Sequence, residues 1–105
     1  MRYYKDGVKI AGVRPEILIG LDIAEEIYKG RTLPMWVTSV TDGQHMNGSL
    51  HYKGLAADLR TKGTGSASPL CNDLKKALNP LGFDVILEDL EGDNEHIHIE
   101  FDPKA

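Results

Sequence analysis

Two short segments in which apolar and polar side chains alternate constrain the fold of this chain more than any other feature. One is HIHIEF, residues 96–101, and the other is AADLR, residues 56–60, which ends in such an alternation. Successive residues of a β-strand point to opposite faces of the sheet, so each segment predicts a strand whose alternate residues share a face. These shared faces carry His96, His98 and Glu100 on one strand, and Ala56, Asp58 and Arg60 on the other. If the two strands pair, Asp58 and His98 converge.

The rest of the chain predicts two helices and two further strands. Apolar residues at helical spacing, with Pro15 near the start and Gly30 at the end, predict the first helix. Ser68 and Pro69 suit the cap and the first position of the second helix. The predicted boundaries are residues 14–30 and 68–78 for the helices, 35–40 and 83–89 for the further strands, and 42–49 for a loop. The last two strands flank an acidic turn and are predicted to form an antiparallel hairpin.

This order of elements predicts the α+β fold class, because helices and strands are segregated rather than strictly alternating. We expect a small antiparallel sheet with two main helices. No internal repeat and no linker divides the 105 residues, so we expect a single domain over residues 1–105.

Composition excludes several kinds of protein. With Cys71 as its only cysteine, the chain can form neither an internal disulfide nor a cysteine-based zinc site, so any metal must bind to histidine and carboxylate. A net charge of −4 disfavours nucleic acid as a partner, and no apolar segment approaches the roughly 20 residues that cross a bilayer. The first residues lack the apolar core of a signal peptide, so we expect synthesis in the cytoplasm and no membrane partner. The oligomeric state is left open, with a monomer favoured.

All four histidines fall in two short windows, one before the AADLR segment and one within HIHIEF. A turn at Gly54, which tolerates backbone angles closed to other residues, can fold His51 back beside Asp58. His51, Asp58 and His98 then supply two nitrogens and one oxygen to a single site. Zinc favours such ligands, and a catalytic zinc keeps three protein ligands and leaves its fourth position to water.

Three further residues have candidate roles around this site. Glu95, three residues before His98, can act as the base that takes a proton from the attacking water. His96 can serve as that base or can stabilise the oxyanion that forms. Ser49 can hydrogen-bond either a ligand or the substrate. The sequence does not separate the roles of Glu95 and His96.

The same residues also have ordinary structural interpretations. Asp58 can form an ion pair with Arg60 or Lys62 at the end of a strand, and Glu95 can belong to a solvated acidic turn. His45 is expected to be an exposed loop side chain.

Two stretches, SLHYKGLAAD from Ser49 and EHIH from Glu95, resemble the signature motifs SxHxxGxAxD and ExxH of the M15 peptidases. These are zinc enzymes that share the Hedgehog/DD-peptidase fold. The resemblance covers residues 37–101 and implies one zinc ion with Glu95 as the catalytic base. The ligands that it implies are His51, Asp58 and His98.

What the resemblance implies for activity is hydrolysis of a cell-wall peptide. The family includes D-Ala-D-Ala carboxypeptidases, dipeptidases and phage endolysins that cut the L-alanyl-D-glutamate bond of peptidoglycan. A phage or prophage enzyme of this kind is expected to reach the wall through a holin. His96 matches a histidine that lies near the metal in relatives lacking the glutamate.

One departure from the family pattern leaves a second hypothesis open. Relatives usually carry a substrate-holding arginine in the turn before the first motif, but no arginine lies between Met35 and His51. Arg60 or Lys53 can take over substrate binding. Alternatively, the chain is a non-catalytic zinc-binding module of the same fold that acts in binding or in a phage particle.

Overall fold

The computed structural model of the protein describes residues 1–42 and 49–103. Within these two ranges the fold comprises two helices and five strands, together with two short 3-10 helices, Leu50–Lys53 and Asn79–Leu81. The helices are α1 (Pro15–Gly30) and α2 (Ala67–Leu78), and the strands are β1 (Arg2–Tyr4), β2 (Met35–Ser39), β3 (Ala56–Arg60), β4 (Phe83–Glu88) and β5 (His96–Phe101). No helix in these two ranges is long and apolar enough to cross a membrane.

The α+β class is confirmed, and the sheet has one more strand than expected. Its order is β1-β2-β3-β5-β4. The antiparallel hairpin predicted for the last two strands is formed by β4 and β5, and β3 with β5 and β2 with β3 also pair antiparallel. The additional strand, β1, pairs parallel to β2, so the sheet is mixed rather than antiparallel throughout. Three residues are too few to show a periodic pattern, so β1 could not be identified from the sequence.

Four element boundaries differ from their predictions by one residue, at the starts of α1 and α2 and at the ends of β2 and β4, and local contacts explain two of them. Helix α2 begins at Ala67, after Ser66, so Ser68 and Pro69 lie inside its first turn. Pro69 fits there because the first amides of a helix have no intrahelical acceptor and a missing N–H leaves none unpaired. Strand β2 ends one residue early, since the amide of Val40 turns to donate to the Asp42 carboxylate (3.0 Å).

Both helices pack against one face of the sheet and enclose the hydrophobic core. The core includes alternate residues of the central strands, which are Ala57 and Leu59 on β3 and Ile97 and Ile99 on β5. The intervening residues of the same strands point to the opposite face. That face therefore displays the histidines and carboxylates of the AADLR and HIHIEF segments.

Candidate metal centre

A short turn places His51 next to β3. The 3-10 helix Leu50–Lys53 begins after Ser49, whose hydroxyl accepts a hydrogen bond from the His51 amide (3.2 Å). It ends at Gly54 in the left-handed conformation, at φ = 73°, as expected for that glycine. A Cβ at Gly54 would collide with the carbonyl oxygen of Gly12. Ser49 and Gly54 thus hold the turn at both ends, and the His51 side chain is buried.

The other two predicted ligands face each other across paired strands. Asp58 on β3 lies directly opposite His98 on β5, as expected. The Asp58 Oδ1 atom is 2.9 Å from His98 Nδ1 and 3.2 Å from His51 Nε2. Two ligand atoms on one tetrahedral zinc ion lie about 3.3 Å apart, given metal–ligand bonds of about 2.0–2.1 Å. The three side chains therefore already stand close to the spacing that a single metal ion requires.

Both histidines have their remaining ring nitrogen fixed by an acceptor. His51 Nδ1 donates to the carbonyl of Val40 (2.6 Å), and His98 Nε2 donates to the Glu100 carboxylate (2.7 Å). A carbonyl can only accept a hydrogen bond, so in the neutral ring that a metal ion would bind, the lone pair of His51 is on Nε2, and an ionised carboxylate likewise favours the lone pair on Nδ1 of neutral His98. Those two nitrogens are the ones that approach Asp58. Buried His51, Asp58 and His98 could therefore hold a metal ion.

Electrostatics within the cluster stabilise the ionised form of its carboxylate. Burial opposes ionisation of Asp58, but hydrogen bonds from His51 and His98 outweigh it and hold its pKa well below the usual range. Burial also acts to lower the pKa of His98, whereas hydrogen bonds to Asp58 and Glu100 raise it to about 9. Without a metal, His98 thus carries the positive charge beside Asp58. A metal ion that binds through Nδ1 must displace this proton.

His96 lies beside the cluster, as its position on the same strand face predicts. Its Nε2 atom is 3.9 Å from Asp58 Oδ1 and 3.0 Å from Glu88 Oε1. Glu88, at the end of β4, was not identified from the sequence. The available signal was the hairpin itself, because the register of β4 and β5 sets Glu88 directly opposite His96.

The side chain of Glu95, the proposed base, forms hydrogen bonds with residues outside the ligand cluster. Its carboxylate accepts hydrogen bonds from the Thr61 hydroxyl (2.5 Å) and the Glu91 amide (2.7 Å). These bonds, that from Thr61 first, lower the pKa of Glu95. Within residues 1–42 and 49–103, its side chain makes no hydrogen bond to the three ligand residues. The structure thus places His96 at 3.9 Å from the ligand cluster and binds the Glu95 side chain to Thr61 and Glu91 instead.

The two candidate substrate-binding residues have separate surroundings. Ser49 orients the His51 turn, as described above. Arg60 does not pair with Asp58 but lies over the ring of Trp36, 4.9 Å from its centre, and Trp36 in turn stacks on Tyr3. In the strand register Arg60 is opposite His96, which sets its side chain on the same face as the cluster. His45 lies outside the described residues, as does most of the predicted loop 42–49.

Comparisons with known proteins do not identify a family. A scan against models of protein families found no match to this chain, and a search of curated proteins found no significant match. The function proposed below therefore depends on the motifs in the sequence and on the geometry of the cluster.

Proposed function

We propose that the protein is a zinc-dependent metallopeptidase that hydrolyses a peptide bond in the stem peptides or cross-links of peptidoglycan, in the manner of a phage or prophage endolysin. One observation carries the proposal. Two imidazole side chains, each with its outer ring nitrogen bound to an acceptor, converge on one ionised carboxylate, at 2.9 and 3.2 Å in the two measured pairs, at the positions of the M15 motifs.

The donor set supports zinc in a catalytic rather than a purely structural role. Structural zinc sites have four protein ligands, whereas catalytic sites have three and leave one position open. His51, Asp58 and His98 make three. When bound there, zinc would polarise the scissile carbonyl and activate a water molecule at neutral pH.

The residues around the ligands have roles that follow from their contacts. The hydrogen bonds from Thr61 and Glu91 keep Glu95 ionised, which is the form that a general base needs in order to accept a proton. His96 lies next to Asp58, with its Nε2 atom 3.9 Å from Asp58 Oδ1, and is therefore close to the position of a substrate bound at the metal. The Arg60 guanidinium, held over Trp36, can bind a carboxylate of the stem peptide in place of the arginine that M15 relatives carry.

A second candidate function is a non-catalytic zinc-binding module of the same fold. Two observations favour it: the absence of an arginine between Met35 and His51 in the sequence, and the hydrogen bonds that tie Glu95 to Thr61. Such a module would bind zinc tightly and recognise a wall component or a phage protein without cleaving it.

Mass spectrometry of muropeptides separates the two functions. Purified peptidoglycan is incubated with the zinc-loaded protein, and the masses of released peptides identify the bond that is cut. We expect release to stop when the metal is stripped and to fall by about 10²–10⁴-fold in Glu95→Gln, the range typical of a lost general base.

The matched control is Glu26→Gln, which neutralises an exposed carboxylate on α1 and should leave the rate unchanged. Release that is equally fast without metal, or in Glu95→Gln, would contradict the peptidase mechanism. Tight zinc binding with no muropeptide released would support the binding module.

A further inference from the structure

We infer that the centre holds a second divalent metal ion, bound by Glu88 and His96 and sharing Asp58 with the first. This inference rests on the first ion at His51, Asp58 and His98, but not on peptidase activity. The two candidate groups have only Asp58 in common, and within each group the ligand atoms lie within 4.8 Å of one another.

Of the two distances in the second group, one falls between those of the first group and the other is longer. His96 Nε2 is 3.0 Å from Glu88 Oε1 and 3.9 Å from Asp58 Oδ1. These values lie on either side of the separation of about 3.3 Å expected for two donors on one tetrahedral ion. Glu88 Oε1 is also 3.9 Å from His98 Nδ1, so this carboxylate faces both groups.

The tautomer of His96 is fixed in the same way as those of the first two histidines. Its Nδ1 donates to the backbone carbonyl of Asn94 (2.7 Å), and a carbonyl can only accept. The lone pair of the neutral ring is therefore on Nε2 and points toward the carboxylates of Glu88 and Asp58. His96 Nε2 also forms a hydrogen bond with Glu88 Oε1 at 3.0 Å, which a metal ion bound at this point would replace.

The charges of the cluster favour bound cations. Asp58, Glu88 and Glu100 bring three negative charges to this face of β3, β4 and β5, against one positive charge from Arg60. Asp58 has two carboxylate oxygens and can bridge a pair of ions, which lie about 3.5–4 Å apart in two-metal sites.

The two sites differ in exposure, and this predicts different affinities. Side-chain exposure is 2% for His51 and 12% for His98 in the first group, but 47% for Glu88 in the second. The second ion should bind more weakly and exchange faster, because water competes for its ligands. Imidazole with carboxylate suits Zn²⁺, Co²⁺ or Mn²⁺ at this position.

Metal counting tests the inference directly. The protein is titrated with Zn²⁺ and its stoichiometry is measured by native mass spectrometry and by elemental analysis after gel filtration. We expect two ions per chain in the wild type and one in each of Glu88→Gln and His96→Asn. Glu26→Gln is the matched control and should keep two. Circular dichroism verifies that each variant is folded.

The stoichiometries distinguish failure of the second site from failure of the first. One ion in the wild type, unchanged in both variants, would overturn the second site and leave the first intact. No bound ion in the wild type would overturn both, and with them the zinc peptidase. Two ions that persist in both variants would show that the second ion binds elsewhere.

The sharing of Asp58 has its own spectroscopic test. Two Co²⁺ ions bridged by one carboxylate couple magnetically, so the fully loaded protein should give a weaker electron paramagnetic resonance signal than two isolated ions. Glu88→Gln should restore the signal of one uncoupled ion. An uncoupled two-ion spectrum in the wild type would contradict the bridge.

Discussion

The two faces of β3 and β5 are built from alternate residues of the same strands and differ in almost every physical property. The face toward the helices presents Leu59 and Ile97, which are fully buried. The other face presents Asp58 and His98, whose side chains are each 12% exposed and charged without metal. Neighbouring residues on one strand thus belong to a hydrophobic core and to a candidate metal centre.

This difference shows how a small domain can separate stability from function. Burying a leucine or isoleucine side chain stabilises a fold by roughly 1.5–3 kcal/mol. Burying a carboxylate and imidazoles instead carries a desolvation cost that their mutual attraction offsets only in part. The first face should therefore control the free energy of unfolding, and the second should control metal binding. The following predictions test that division, from the largest expected effect to the smallest.

Asp58→Asn should have the largest effect, on metal affinity. Asp58 supplies one of three ligands, and zinc binding in compact sites amounts to about 10–16 kcal/mol, so its loss should weaken binding by about 10²–10⁴-fold. The folded state should persist, since the core face is untouched. Competition with a chromophoric chelator measures the affinity, and urea unfolding of the metal-free protein measures stability. Unfolding of the variant without metal would contradict the division between the faces.

Leu59→Ala changes the next residue along β3, on the opposite face. Leu59 is fully buried, so removing its side chain should cost about 2–5 kcal/mol of unfolding free energy. Urea unfolding measures this cost. The fraction that remains folded should bind zinc with the wild-type stoichiometry, because Asp58 and His98 are still opposite each other. A folded Leu59→Ala protein that had lost its metal would show that the two faces are coupled.

Most of this arrangement could be predicted from sequence because local patterns specify it. The alternation in residues 56–60 and 96–101 identified both central strands and the shared face of Asp58 and His98. The conformational requirement of Gly54 identified the turn that returns His51 to them. In each case the information lies within ten residues.

The parts that could not be predicted depend on pairings between distant segments. Strand β1 is a strand only because β2 accepts it as a parallel neighbour. Glu88 lies in the cluster only because of the register of the β4–β5 hairpin. A shift of one residue in that register would move its side chain to the opposite face of the sheet. Glu95 matches a motif, yet its contacts with Thr61 and Glu91 follow from tertiary structure.

Gly54→Ala should have a medium effect on both the free energy of unfolding and the affinity for zinc. The residue has φ = 73°, and a new Cβ would meet the Gly12 carbonyl, so the turn that carries His51 must shift. We expect a loss of about 1–3 kcal/mol of unfolding free energy, as for strained backbone, together with weaker zinc binding.

Gly63→Ala is the matched control for this change. Gly63 also has a positive φ, 82°, but a Cβ there meets no atom within 4 Å. It should therefore incur the conformational cost alone and leave zinc affinity unchanged. Equal zinc affinities in the two variants would mean that contact with Gly12 does not position His51.

Thr61→Val should have the smallest effect and changes the residue that follows β3. Thr61 is buried, and its hydroxyl donates to the Glu95 carboxylate, which lowers the pKa of Glu95. Valine keeps the shape and removes the donor, so the pKa of Glu95 should rise toward its ordinary value. A base with a raised pKa is protonated at higher pH, so the acid limb of the peptidase pH profile should move upward, with little change at neutral pH. Carboxyl titration by nuclear magnetic resonance measures the pKa independently. A shifted Glu95 pKa with an unshifted acid limb would exclude Glu95 as the base.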